Sequence, residues 1–257
     1  MLTRLFALLY GTACYLIFLA VFVYAIGFIA GILTPTLLDG VPTLPLWQAL
    51  LIDLGLLTAF ALQHSGMARP GFKRWWTRVV PEWAERSTYV LLSSLAMVAL
   101  FAYWEPIGGV IWSATGKLTY AVVASLYAIG WLLLLYTTFL IDHFDLFGLA
   151  QVWHRWTGNA GHAPQFHTPS LYKHVRHPLY VGWLMIFWAA PTMTVAHLVF
   201  ALATTAYILL AIPLEERDLI ATFGERYLQY RRTTPMLIPR LSAKTRSTSV
   251  ASGQRQW

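Results

Sequence analysis

The chain reads as all-α, a polytopic integral membrane protein with five or six transmembrane helices, on three observations. Hydrophobic residues make up 58% of the 257 and charged residues only 11%, whereas soluble domains carry about 25% charged residues. The apolar residues come in long runs near 5–30, 46–66, 88–104 and 118–141, then in two shorter runs at 178–193 and 196–213, and about 20 apolar residues span a bilayer as a helix. Of the 18 Lys and Arg residues, all but Lys117 lie in segments that an even number of crossings brings to one side. Such a bias places both termini in the cytoplasm.

The first run is longer than a secretory signal core and no small-residue cleavage site follows it, so it reads as a retained helix. Cys14 is the only cysteine and sits inside that run, where it packs rather than pairs. The second run carries Asp53 and ends at Gln63-His64-Ser65. A basic connection follows, in which Trp75 and Trp76 suit an interfacial aromatic belt. The fourth run ends at Asp142-His143-Phe144-Asp145. Together the first four runs form an N-terminal unit, residues 1–141.

Residues 142–177 read as a cytoplasmic loop over the active site. They include His154, His162 and His167, with Gly158 and Gly161 permitting a gating motion. The histidine spacings match no standard ligand set, so no metal is expected. Residues 178–240 form a helical hairpin with a polar C-terminal region, the two runs being separated by Ala189-Ala190-Pro191-Thr192. The tail at 241–257, rich in Ser, Thr and Arg, reads as disordered. The net charge of +7 fits basic residues meeting anionic lipid headgroups. It does not imply nucleic-acid binding, since no basic binding module occurs.

Two polar clusters bracket the last two runs. The first is His174-Val175-Arg176-His177-Pro178-Leu179-Tyr180-Val181-Gly182. The second is Glu215-Glu216-Arg217-Asp218-Leu219, followed by Phe223-Gly224-Glu225-Arg226-Tyr227-Leu228-Gln229-Tyr230 and by Pro235 and Pro239. A hairpin returns its ends to one surface, so the cationic and anionic clusters should face each other. Taken singly, these groups also have plain structural readings. The acidic cluster can cap a helix, Arg176 and Arg231 can be positive-inside charges, Pro178 suits a first helical position, and Gly182 can permit close packing.

Arg-His-Pro-x-Tyr-x-Gly, Glu-Glu-x-x-Leu, Phe-Gly-x-x-Tyr-x-x-Tyr and Pro-x-x-x-Pro, in that order, resemble the isoprenylcysteine carboxyl methyltransferase superfamily over the last third of the chain. Gln63 to Pro70, Phe72 to Trp76 and Glu85 to Tyr89 are similar to the NnrU-like branch, and within it to the bacterial methanethiol S-methyltransferases. The resemblance implies an enzyme of the bacterial inner membrane that takes S-adenosylmethionine as co-substrate and a small thiol, methanethiol, as acceptor, giving dimethyl sulfide. It implies a cofactor-binding set of His174, Arg176, His177, Pro178, Tyr180, Gly182, Glu215, Glu216, Tyr227 and Arg231.

The residue chemistry fits that expectation. Carboxylates suit a ribose diol or an ammonium, an Arg or His suits a carboxylate, and aromatic rings suit adenine or a sulfonium. No Gly-x-Gly-x-x-Gly loop is present, nor any alternation of strands with helices, which disfavours the soluble Rossmann-like methyltransferases. A thiol reacts as its thiolate, so a base is expected among His64, Asp142, His143 and Asp145, with an aspartate holding the imidazole. Two other readings stay open at this point: a membrane methyltransferase with a prenylated or lipid acceptor, and a non-enzymatic NnrU-like protein that could bind haem through His64 and His143.

Overall fold

The computed structural model describes residues 1–159 and 165–240. His162, Gly161 and the tail at 241–257 lie outside the described residues. In chain order the elements are α1 (Leu2–Ala30), α2 (Leu46–Ala68), α3 (Pro70–Trp76), α4 (Glu82–Tyr103), β1 (Val110–Ser113), α5 (Lys117–Ile141), α6 (His143–Leu146), α7 (Leu149–Thr157), a 3-10 turn at Ser170–Lys173, α8 (Pro178–Trp188), β2 (Thr192–Thr194), α9 (Val195–Phe223) and α10 (Glu225–Thr233). Of these, α1, α2, α4, α5 and α9 are long and apolar enough to cross a membrane. Their apolar residues do not all turn inward: Leu9, Val23, Leu62, Leu132 and Leu210 are each more than 60% exposed. Helices apolar on every face suit a hydrocarbon solvent. This is a multi-pass membrane protein in contact with lipid.

The core joins α1, α4, α5, α8 and α9 through Phe28, Leu100, Trp131, Ile186, Phe200 and Ile212. The tightest approach is between α5 and α8. A Cβ on Gly182 would lie 3.0 Å from the Gly130 carbonyl oxygen and from the Leu134 nitrogen, so a side chain there would press the two backbones apart by a few tenths of an ångström. Gly182 is thus a packing glycine in this structure.

The last two runs differ from the expected hairpin of short spans. Helix α8 has 11 residues and a length of about 16 Å, half a bilayer core. Three residues, Ala189 to Pro191, lead from α8 to β2, which pairs antiparallel with β1 (Val110 opposite Thr194, Ser113 opposite Thr192). Since β1 lies between α4 and α5, β2 must stand at the end of the bundle opposite to Arg69 and Arg176. In contrast α9 has 29 residues and runs about 44 Å, through Pro213 and past Glu215 and Glu216 to Phe223. Hydropathy ends near residue 213, but helix formation does not, because charged side chains are good helix formers. The missing N–H of Pro213 removes one backbone bond without ending the helix. Termination comes at Gly224, whose φ of 60° and ψ of −133° lie in a region open to glycine.

The segment 142–177 is only partly a loop. Helix α7 docks on α1, with Val152 fully buried and a Cβ on Gly11 only 2.6 Å from its methyl groups. Further along, Phe166 sits 5.4–6.0 Å, ring to ring, from Phe223, Tyr227 and Tyr230.

At the end bearing β1 and β2, buried His197 packs its Nδ1 3.4 Å from Asp39 Oδ2 and its Nε2 3.1 Å from the Phe187 carbonyl oxygen. The Thr194 hydroxyl donates to Asp39 Oδ1 and accepts the His197 N–H, capping α9. Asp53, fully buried in α2, accepts the Glu105 N–H at 2.9 Å.

Candidate functional site

The basic cluster before α8 and the acidic cluster on α9 meet. Pro178 opens α8 at its first position, which fixes Arg176 and His177 just ahead of the helix. Their backbone N–H groups donate to the carbonyls of Pro235 and Met236 at 2.9 and 3.1 Å, so the strap after α10 holds them extended. Arg176 Nε donates to Glu216 Oε1 at 2.7 Å, and its Nη1 donates to the carbonyls of Arg231 and Thr234 at the C-terminus of α10. A cation suits that end of a helix dipole. His177 Nε2 reaches the same Glu216 oxygen at 3.1 Å, and Arg231 lies 3.8 Å from its other oxygen.

The two adjacent glutamates therefore have different positions. Glu216 is buried and engaged by three cationic or ionisable side chains. Glu215 accepts the Tyr180 hydroxyl at 2.8 Å, with His177 Nδ1 4.0 Å away, and its side chain is 43% exposed. Beside them stands Tyr227, buried to 2% exposure with a hydroxyl that has no partner among the described residues. Burial, reinforced by the Glu216 carboxylate, pushes this phenol well above its ordinary range, so it remains a neutral donor. Tyr230, whose hydroxyl donates to the Tyr172 carbonyl at 2.6 Å, is pushed up by burial to about 12. Among the remaining members of the expected set, His174 is exposed at the end of the 3-10 turn, while Pro178 and Gly182 act through backbone and packing.

A second polar cluster lies on α2, α4 and α9. His64 Nδ1 is 3.2 Å from Ser93 Oγ, and the Tyr89 hydroxyl lies 3.1 and 3.0 Å from its two nitrogens. Phe60 stacks on the His64 ring at 5.2 Å. One residue on, Ser65 meets the Tyr207 hydroxyl at 2.9 Å, and Arg69 pairs with Asp218 at 2.8 Å. Arg86 lies 5.1 Å over the Tyr89 ring. Tyr207 is eight residues before Glu215 on the same helix, which ties the two clusters together.

His143 lies elsewhere. Its Nδ1 is 2.8 Å from Thr138 Oγ1, its Nε2 is 2.8 Å from the Tyr15 hydroxyl, and the ring stacks on Phe139 at 4.3 Å. The expected aspartate does not hold the imidazole. Asp142 Oδ1 instead accepts the Asp145 N–H and caps α6, and Asp145 Oδ1 accepts from Gln151. Burial lowers the pKa of His143. A shallow depression of about 400 Å³ lined by residues 139–144 and His167 adjoins it.

Curated relatives cover nearly the whole chain. A protein of Crocosphaera subtropica named methanethiol S-methyltransferase is 54% identical over 95% of this chain and 96% of its own length. The chain belongs to the methanethiol S-methyltransferase family. Relatives of the same name in Bradyrhizobium diazoefficiens and Mycobacterium tuberculosis are 49% and 46% identical, over 96% and 92% of this chain and 95% and 97% of their own lengths. Nurim of Sus scrofa is more distant, 36% identical over 65% of the chain and 66% of its own length. No protein-family model and no solved structure matches. As a member of the methanethiol S-methyltransferase family, the chain is a methyltransferase and requires a methyl donor.

Sequence reasoning passed over Tyr207, Ser93 and Phe166. Aromatic and hydroxyl residues inside apolar runs carry no signal by themselves. Tyr207 and Asp218, eleven residues apart and nearly in line on one helix face, could have marked the stripe of α9 that meets Ser65 and Arg69.

Proposed function

We propose that the chain transfers a methyl group from S-adenosylmethionine to methanethiol, giving dimethyl sulfide, at the basic end of the bundle and on the cytoplasmic side of a bacterial inner membrane. The observation that carries the donor assignment is the difference between the two glutamates. Glu216 is held by Arg176 and His177, while Glu215, bound among the described residues only by the Tyr180 hydroxyl, and Arg231, 3.8 Å from Glu216 and half exposed, keep further hydrogen-bonding capacity beside the Tyr227 hydroxyl. A carboxylate that is half exposed suits a ribose diol or an ammonium, and the half-exposed Arg231 suits a carboxylate. Among the described residues the Tyr227 hydroxyl is a buried donor with no acceptor, and buried polar groups rarely stay unpaired. The donor set thus fits the zwitterion and sugar of S-adenosylmethionine.

On the acceptor side, His64 takes the thiol proton. Ser93 fixes its Nδ1, and Phe60 and Tyr89 confine its ring. Arg69 and Arg86 stand nearby and favour the thiolate over the thiol. Bound S-adenosylmethionine supplies an electrophilic methyl on a sulfonium sulfur, and its transfer to the thiolate leaves dimethyl sulfide and S-adenosylhomocysteine. The anion and cation neutralise each other as the methyl moves, so the low-polarity surroundings of Phe60, Tyr180 and Tyr207 favour the step. His64, rather than His143, is the base in this reading. Its neighbours on α2 and α9 lead directly to Glu215, whereas His143 contacts Thr138 on α5 and Tyr15 on α1, away from Glu215.

The test is headspace gas chromatography of the purified, detergent-solubilised protein with S-adenosylmethionine and methanethiol. Dimethyl sulfide that depends on both reagents is the expected result. Donor binding by calorimetry without dimethyl sulfide would move the acceptor to a larger molecule, and absence of both would overturn the reading.

A further inference from the structure

The clusters around His64 and Glu215 share a boundary, and it is made of aromatic rings. Tyr207 lies eight residues, about 12 Å of helix rise, before Glu215 on α9, on the membrane-interior side of it. Its hydroxyl meets Ser65 at 2.9 Å. Its ring stands edge-on to Phe60 at 6.4 Å, Phe60 stacks on His64 at 5.2 Å, and His64 lies 5.2 Å from the Tyr89 ring. The series Tyr207, Phe60, His64 and Tyr89 thus runs without a gap from α9 through α2 to α4. Nearer the basic end, the pair of Arg69 with Asp218 closes the same seam between α2 and α9 a second time. A molecule placed between Glu215 and His64 finds rings beneath it, and on the α2–α9 side it finds a hydrogen bond and an ion pair between it and the lipid.

We propose that Tyr207, held upright by Ser65, determines the length of the acceptor: it admits a one-carbon thiol and stops longer alkyl chains. The proposal rests on the methanethiol reading above and adds the residue that sets its size limit. A lipid acceptor would need the α2–α9 seam open at this depth, and there Ser65 and Tyr207 hold it shut. Each further methylene that found room would gain by leaving water, so a preference for a short thiol requires exclusion by a rigid group. A tyrosine fixed at both ring and hydroxyl is such a group.

The experiment compares n-alkanethiols from methanethiol to hexanethiol as acceptors, in the presence of S-adenosylmethionine, by the kcat/KM for thioether formation. In the wild-type protein the ratio of butanethiol to methanethiol should be low. Tyr207→Ala should raise that ratio at least ten-fold, and Ser65→Ala, which frees the ring without removing it, should raise it several-fold. Ser65→Ala removes one hydroxyl, so it reports even where Tyr207→Ala fails to fold. A ratio unchanged in Ser65→Ala, or in folded and active Tyr207→Ala, overturns the proposal while leaving the methanethiol reading intact. A wild-type protein that makes no dimethyl sulfide but methylates butanethiol or hexanethiol overturns both.

Discussion

Two ends of this bundle each bury a histidine against a carboxylate, and they differ in what is left over. At the end bearing β1 and β2, His197, Asp39, Thr194 and the Phe187 carbonyl satisfy one another. At the basic end, His177 and Glu216 are joined by Arg176, yet Glu215 stays half exposed and the Tyr227 hydroxyl has no partner among the described residues. The first arrangement is a closed lock that pins the start of α9 to the loop after α1. The second is a lock with open valences beside it. Histidine–carboxylate pairing occurs at both ends, and the basic end adds unsatisfied capacity next to the rigid pair.

Removing Arg176 should have the largest effect on this contrast. Arg176→Ala leaves Glu216 buried with His177 and the more distant Arg231 and uncaps the C-terminus of α10, and breaking a buried pair costs about 3–5 kcal/mol. Chemical denaturation in detergent should show that loss together with loss of donor binding. Gly182→Ala tests the packing beneath the site. The new methyl would lie 3.0 Å from backbone atoms of α5, and overpacking of this kind costs about 1–3 kcal/mol, read as a lower unfolding midpoint.

The closed lock should respond differently. His197→Ala leaves Asp39 and the Phe187 carbonyl short of a donor, so stability should fall by about 1–3 kcal/mol, while kcat and KM of the folded fraction stay at wild-type values. A changed KM for the methyl donor would erase the distinction between the two ends. Glu215→Gln inverts that pattern. It should weaken donor binding in calorimetry about ten-fold, a change of about 1.4 kcal/mol, with the unfolding midpoint unmoved.

The smallest expected effect is on pH dependence at a third histidine. Burial lowers the pKa of His143 below its ordinary 6.5, so the unfolded chain binds the proton more readily than the folded one. The stability tied to this group is therefore complete above pH 6.5 and is lost as pH falls below it, at no more than about 1.4 kcal/mol per pH unit. His143→Gln should flatten that acid limb in unfolding curves recorded between pH 5 and 7, and an unaltered limb would assign it to other groups.

The spans and the meeting of the two polar clusters were legible because each rests on local, repeated signals: runs of apolar residues, one-sided Lys and Arg, and charges flanking a turn. Where reading failed, the cause was non-local or ambiguous. Val110–Ser113 and Thr192–Thr194 are too short to announce strands, and only their pairing across 80 residues makes them so. Glu215 to Asp218 looked like a helix boundary because hydropathy stops there, although the backbone does not. Asp142, His143 and Asp145 are neighbours in sequence, yet the helix cap at Asp142 turns them toward different partners, and Tyr15, which engages His143, lies on α1. The two glutamates could not be told apart by sequence, since one residue of helical rotation decides which is buried.

The strap that pairs Pro235 and Met236 with Arg176 and His177 has a consequence for biogenesis. Arg176 leaves the ribosome well before Glu216, and earlier still than the Thr234 carbonyl that completes its shell. While the chain is being inserted, the guanidinium must stay in water or among headgroups, because its buried partners have not been made. The membrane-spanning helices can therefore assemble first, with the two polar clusters closing on each other only when α10 and its strap swing back. A stop codon between Gly224 and Thr233 should yield a chain that keeps every membrane-spanning helix yet lacks the Thr234 carbonyl partner of Arg176.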